Sequence, residues 1–265
     1  MTPELFDTLA ALLAEGQAAM VTGFLVFARI GGFFAVLPAF GEQVVPVRAR
    51  LAAAFAMTLI VAPAVLPQIP MRPDTPAEVA GFLLVESAIG LAFGVGLRLL
   101  VNALQIAGTM AAQATSLAQF FGGAGVDPQP AMSQVLVMAG LAFLVMTGLP
   151  EKLAEFLVLS YILLPAGTWP DASVMAEWGV GRVSHAFTLA FVLAAPFVIG
   201  SSIYNLALGA INRAMPQLMV AFIGSPAITF GGLFILMVST PIILTVWHEA
   251  FQTLLTDPGA TGGQR

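Results

Sequence analysis

This sequence predicts an all-α integral membrane protein, and two observations carry the prediction. Of 265 residues, 59% are hydrophobic and only 9% charged, whereas a soluble domain carries roughly 25% charged residues. The apolar residues also gather into runs long enough to cross a bilayer, where the backbone must satisfy its own hydrogen bonds, as a helix does. No polar stretch is long enough to form a soluble domain. The chain is therefore read as one membrane-embedded domain over residues 1–257, with 258–265 a disordered tail.

Charge and cysteine content exclude several classes. The net charge of -5 comes from 14 acids and 9 bases spread along the chain, without the basic patch that a nucleic-acid partner needs. Cysteine is absent, which excludes disulfides and thiolate metal sites.

The N-terminus lacks the basic region that precedes the apolar core of a cleaved signal, so it is expected to be retained. Thr2 as N-cap, Pro3 at the first helical position, Glu4 in the first turn, and Leu5, Leu9, Leu12 and Leu13 along one side begin an amphipathic helix. That helix is expected to rest on a partner or the membrane surface.

The first apolar segment, Ala18 to Phe40, holds Arg29 near its middle, with Gly23, Gly31 and Gly32 close by. An arginine there must reach an interface, face protein or face water, which leaves snorkelling, a buried structural contact and a transport role all open. Pro38 to Gly41 ends the helix. Arg48 and Arg50 then lead into the run Leu51 to Leu66, and this lone pair of closely spaced bases is too weak a signal to set topology. Pro63, Pro67, Pro70, Pro73 and Pro76 predict a stiff, extended connector.

Val79 to Phe121 is the most informative passage, a long apolar helix that turns polar along one side. Gly90 and Gly94 form a small-xxx-small pair beside Ala88, Ala92 and Gly96, so another helix is expected to approach closely there. Glu86 and Arg98 lie about three and a third turns apart and cannot pair on one straight helix, so each needs a partner elsewhere. From Arg98 the polar residues recur as Asn102, Gln105, Thr109, Gln113 and Ser116, steps of three and four that keep to one face. The stripe is either an interhelical hydrogen-bonding seam or the lining of a wet passage. Both turn it away from lipid.

Leu117, Gln119, Phe120, Phe121, Gly122, Gly123 and Gly125 follow. The glycines permit conformations closed to other residues and the phenylalanines supply bulk, so the stretch is either an ordinary Gly-rich connection or a movable seal. Val126 to Pro130 restarts regular structure. Ala131 to Leu149 is long enough to span; Pro150, Glu151, Lys152 and Glu155 mark a polar end before Phe156 to Leu164, which is short for a second crossing. Gly167 to Glu177, with Trp169 and Trp178 close by, reads as interfacial.

Val183 to Ile211 exceeds one crossing, with Pro196 a candidate kink and Ser201, Asn205, Gly209 and Asn212 forming a second small and polar stripe toward Arg213. Pro216 ends or bends that helix. Gly224 to Pro226 is expected to break the chain before the last apolar run, Gly232 to Trp247.

No catalytic, cofactor or metal site is predicted. Gly94 and Gly96 lack the third glycine and strand context of a dinucleotide fingerprint, and His185 and His248 have no metal-ligand pattern around them. No serine sits in a nucleophile elbow. The twelve methionines read as fillers of core gaps.

Three ordered motifs then carry a resemblance over nearly the whole chain. The first holds Phe27, Arg29, Gly31, Pro38, Phe40, Gly41, Pro46, Arg48, Arg50 and Leu51; the second runs from Glu86 to Gly94; the third holds Leu206, Leu208, Gly209, Arg213, Pro216, Gln217, Gly224 and Pro226. In these the chain resembles the family of the flagellar biosynthetic protein FliR, which also includes the T-type export-gate subunits of injectisomes.

The resemblance implies helical hairpins with broken helices, lifted partly out of the membrane plane, so that hydropathy alone miscounts crossings. It implies a non-enzymatic subunit of the flagellar type III export gate in the bacterial inner membrane, at the flagellar basal body. Its partners would be the P-type and Q-type subunits FliP and FliQ, with FlhB and FlhA, around a channel for unfolded export proteins. By position, the family's plug loop falls on Leu117 to Gly125. This chain departs from the family pattern in a longer Gly-rich run, in Asn205 where an acid is common, and in Ala227 after the late proline. The runner-up is a self-contained secondary transporter or channel for a small solute, since broken helices and buried polar residues describe those too. An intramembrane enzyme comes third.

Overall fold

In the computed structural model the described residues are 3–38, 46–69, 75–115, 131–215 and 220–259, without the side chains of 3–7, 10–11, 14–15, 17–18 and 220–226. They form seven α-helices and one short 3-10 turn, with no strand among them. The helices are α1 (Pro3–Val36), α2 (Val47–Val65), α3 (Pro76–Thr115), α4 (Ala131–Met146), α5 (Leu149–Leu163), α6 (Ala172–Ala214) and α7 (Val220–Thr256). Leu66–Gln68 is the 3-10 turn.

Five of the helices are long and apolar enough to cross a bilayer, and α4 with α5 is a pair bent by 78° that can count as a sixth span. The chain is an all-α integral membrane protein. At 40, 43 and 37 residues, α3, α6 and α7 are about 55–65 Å long at 1.5 Å per residue. That is nearly twice the roughly 30 Å hydrocarbon core.

Several boundaries differ from those expected. α2 continues through Pro63 to Val65 before the 3-10 turn, so the extended connector does not begin at Pro63; residues 70–74 lie outside the described residues. α6 starts at Ala172, eleven residues before the expected apolar run; Pro196 lies inside it, as expected of that run. α7 runs through Gly224 to Pro226 without the expected break. One physical reason covers the prolines. In a membrane helix neighbouring groups can take up the carbonyl that a proline leaves free, so proline signals a helix end less reliably than in water.

The α4–α5 bend has a local cause. Gly148 adopts φ +80°, a left-handed conformation that costs glycine little, and Pro150 follows in the first turn of α5, where its missing N–H is harmless.

The described residues form two compact units. The first draws on Met1–Arg98, Gly148–Gly179 and Leu254–Thr261. There α1 packs on α2, and α2 on α5. Its core holds Ile30 and Phe33 of α1, Val61 of α2, Ile89 and Phe93 of α3, and Phe156 of α5. Phe93 stands edge-on to both Phe156 and Trp178, at 5.4 and 5.7 Å between ring centroids. Trp178, expected at an interface, is only 9% exposed, and its indole N–H donates to the Pro258 carbonyl at 2.8 Å. Trp169 is 67% exposed.

The second unit draws on Leu99–Thr147 and Val180–Thr253. Its core gathers Leu100, Leu104 and Ala107 of α3, Leu136 and Leu144 of α4, Leu193 and Phe197 of α6, and Trp247 and Phe251 of α7.

Candidate functional site

Two arrangements bear on function, and both are built on α3. The first is a charged junction within the first unit. Arg29 of α1 and Glu86 of α3 are both fully buried, with Nε donating to Oε2 at 2.7 Å and Nη2 to Oε1 at 3.1 Å. Nη1 donates to the carbonyl and the hydroxyl of Ser160 at 3.1 and 3.3 Å, and Nη2 to the Leu164 carbonyl at 2.9 Å. Those five bonds occupy all five guanidinium donors.

The rest of the junction completes the pairing. The Tyr161 ring lies 3.7 Å below the guanidinium carbon, a cation–π arrangement, and the Gly167 N–H donates to Glu86 Oε1 at 3.0 Å. Gly167 reaches that position at φ +73°. Of the three readings open for Arg29, the geometry is that of a buried contact, joining α1, α3, α5 and the turn before α6.

Close helix approach makes this junction possible. A Cβ on Gly90 would run into the Arg29 carbonyl, and one on Gly94 would lie 2.7 Å from the Phe33 carbonyl. The small-xxx-small pair thus lets α1 and α3 touch backbone to backbone, as such pairs do in membranes. Glu86 was recognisable in the sequence as a charge needing a partner. Ser160, Tyr161 and Gly167 carried no local signal.

The second arrangement is the polar face of α3. Arg98 and Gln113 are exposed, and Asn102, Gln105 and Thr109 half-buried, while Leu97, Leu100, Val101, Leu104, Ala107 and Ala111 form the buried face. Thr109 turns its hydroxyl back to the Gln105 carbonyl at 2.9 Å. Arg98, Asn102 and Gln113 make no hydrogen bond or ion pair with another described residue. Ser116, the last residue of the stripe, lies outside the described residues, as do Leu117, Gln119, Phe120, Phe121, Gly122, Gly123 and Gly125.

Beside the first turns of this stripe, inside the second unit, α3 meets α4 and α7. Ser133 of α4 donates to the Gln105 carbonyl at 2.9 Å, and Trp247 of α7 donates its indole N–H to the Leu100 carbonyl at 2.7 Å. A Cβ on Gly140 would lie 2.6 Å from Leu104 Cδ2. None of these partners was legible in the sequence.

The remaining motif residues are dispersed. Pro38 is buried just after α1, whereas Pro46 and Arg48 are exposed at the start of α2. Gly209 and Arg213 are exposed on α6, with Arg213 in its last turn, where a cation complements the helix dipole. Pro226 lies within α7; Phe40, Gly41, Pro216 and Gln217 lie outside the described residues. His248 packs its ring 4.7 Å from Phe143, and among the described residues no acids and histidines cluster into a metal-binding group.

Comparison with known proteins matches this sequence to one family. The model of the bacterial export proteins, family 1, matches residues 20–254. The flagellar biosynthetic protein FliR of Caulobacter vibrioides is 34% identical over 87% of this chain and 93% of its own length. FliR of Aquifex aeolicus is 31% identical over 88% of this chain and 90% of its own, and FliR of Bacillus subtilis 27% over 86% and 89%. The family match spans the α1–α3 junction and the polar face of α3, and on that coverage, with relatives above 30% identity, the chain belongs to the bacterial export proteins, family 1, the FliR family.

Proposed function

We propose that this chain is a non-enzymatic, channel-forming subunit of the flagellar type III export gate, sealed by a plug at Leu117 to Gly125. Membership of the FliR family makes it a component of the flagellar export apparatus. The observation that carries the finer reading is the uncovered polar face of α3. Arg98, Asn102 and Gln113 have no partner among the described residues, yet they sit on a helix apolar enough to cross a bilayer. Wherever such a helix lies within the bilayer, its polar groups must face water or other protein. A channel assembled from several subunits supplies both.

The apolar surface favours an assembly too. Leu206 and Ile203 on α6, and Phe230 and Met237 on α7, are each at least 65% exposed. In the assembly proposed here, P-type and Q-type subunits cover such faces together with lipid, FlhB and FlhA bind the same complex at the basal body in the inner membrane, and unfolded export proteins pass through. The polar face guides the chain toward the plug, which blocks ions until cargo displaces it.

The test is co-expression with P-type and Q-type subunits, purification of the complex, and deletion of four or five residues within Leu117 to Gly125. The complex is expected to assemble and to leak ions in proteoliposomes. An unchanged barrier in an assembled complex overturns the plug. Coupled uptake of a small solute by the purified chain alone would instead establish a self-contained transporter.

A further inference from the structure

The two helix ends that flank residues 116–130 are held by the same three-helix contact, and one side of it is a fitted pair of residues on different helices. Thr115, the last residue of α3, is 6% exposed and returns its hydroxyl to the Ala111 carbonyl at 2.9 Å, which leaves its methyl group pointing at α7. The space it fills is the missing side chain of Gly232. A Cβ built on Gly232 would lie 2.5 Å from Thr115 Cγ2 and 2.7 Å from Thr115 Cβ.

The first turn of α4 is tied to the same place. Met132 Sδ lies 3.9 Å from the Thr115 hydroxyl. Ser133, 1% exposed, bonds to the Gln105 carbonyl, and a Cβ on Gly108 would collide with the Ser133 Cα and lie 2.9 Å from its nitrogen. The end of α3 and the start of α4 are therefore in backbone contact, and α7 is keyed to them through Gly232.

We propose that Thr115 and Gly232 are positioning residues for the plug, fixing to α7 the base from which residues 116–130 depart. This rests on the plug reading above. Interiors packed at this density switch between discrete arrangements instead of deforming smoothly, so a displacement of α7 at Gly232 is passed to the end of α3.

A size swap tests it in the complex co-expressed with P-type and Q-type subunits, with ion leak measured in proteoliposomes. Gly232→Ala adds the Cβ that Thr115 cannot accommodate, and Thr115→Gly removes the methyl group that fills the site. Each single variant is expected to raise the leak about fivefold or more, the population change that corresponds to about 1 kcal/mol. The pair Gly232→Ala with Thr115→Gly relieves the clash, refills part of the vacated space and brings the leak back toward wild type, the non-additivity expected of residues in contact.

Wild-type leak in both assembled single variants, or a pair no tighter than the worse single, overturns the proposal. If Gly232→Ala prevents assembly, Thr115→Gly and the pair decide: a raised leak that the pair reverses supports the proposal, and an unchanged or unreversed one overturns it. Shortening Leu117 to Gly125 in parallel separates the two claims. If the shortened chain leaks and the single variants do not, the positioning claim alone fails; if the shortened chain holds its barrier, the plug reading itself has failed.

Discussion

Arg29 and Glu86, 57 residues apart in sequence, form a two-pronged ion pair in which neither side chain has any solvent exposure. Taking two charges out of water is costly, and the attraction repays it only where every remaining donor and acceptor is satisfied. Ser160, Leu164 and Gly167 meet that condition here.

Removing one partner should therefore cost far more than removing both. Glu86→Gln or Arg29→Met is expected to destabilise the fold by about 3–5 kcal/mol, because a buried charge is left unpaired, while Arg29→Met with Glu86→Leu should come much closer to wild type. Arg29→Lys is expected to fail as well, since an ammonium cannot reproduce the guanidinium fork. Thermal or denaturant unfolding in detergent would read the order of the four variants.

Gly90 is the second point of strain-free contact that a single methyl group would destroy. Gly90→Ala places its Cβ against the Arg29 carbonyl, and since that obstacle is backbone the helices must separate, at about 1–3 kcal/mol for overpacking. Gly81, nine residues earlier in the same helix and with open space around it, is the control: Gly81→Ala should be neutral or slightly stabilising by helix propensity.

The polar face of α3 can be probed directly because the chain has no cysteine. In the assembled complex, Asn102→Cys and Gln113→Cys are expected to react with a water-soluble thiol reagent at least about tenfold faster than Leu100→Cys on the buried face, since burial raises a thiol pKa by a unit or more and only the thiolate reacts. Equal, slow labelling at all three positions would identify a dry interhelical seam.

Asp171 predicts a local pH dependence at the start of α6. Its carboxylate accepts bonds from the Ser173 hydroxyl and from the Ser173 and Val174 N–H groups, and these, the hydroxyl first, hold its pKa below the usual 3.8. A carboxyl whose folded pKa is depressed contributes stability above its unfolded pKa and loses it as pH falls through the folded one. Hydrogen-exchange protection of the Ser173 and Val174 amides should therefore hold down through the ordinary carboxyl range and drop only as pH falls through the lowered folded pKa. Asp171→Asn should keep the cap and flatten that dependence; Asp171→Ala should lose the protection at every pH.

What the sequence determined by itself was whatever depends on neighbours along the chain. Apolar runs of spanning length, helical steps of three and four from Arg98 to Gln113, and the small-xxx-small pair at Gly90 and Gly94 identify a helical membrane protein, its polar-faced helix and a close crossing, because each is a local periodicity that the helix copies into space. Proline was the exception. Pro63 and Pro226 lie inside helices where a connector and a break were expected, since in a packed membrane helix the lost hydrogen bond can be made good by surroundings that sequence does not show.

Tertiary structure alone decided the partnerships. Nothing near Arg29 in the chain points to Glu86, and nothing near Glu86 points to Gly167, whose amide bonds it from 81 residues away. Thr115 and Gly232 are likewise unremarked in sequence, a threonine at a helix end and a glycine in an apolar run, until their helices pack and the methyl group of one fills the absence of a side chain in the other. Such complementarity belongs to the space between helices, where each atom's neighbours are set by the folded arrangement and not by chain order.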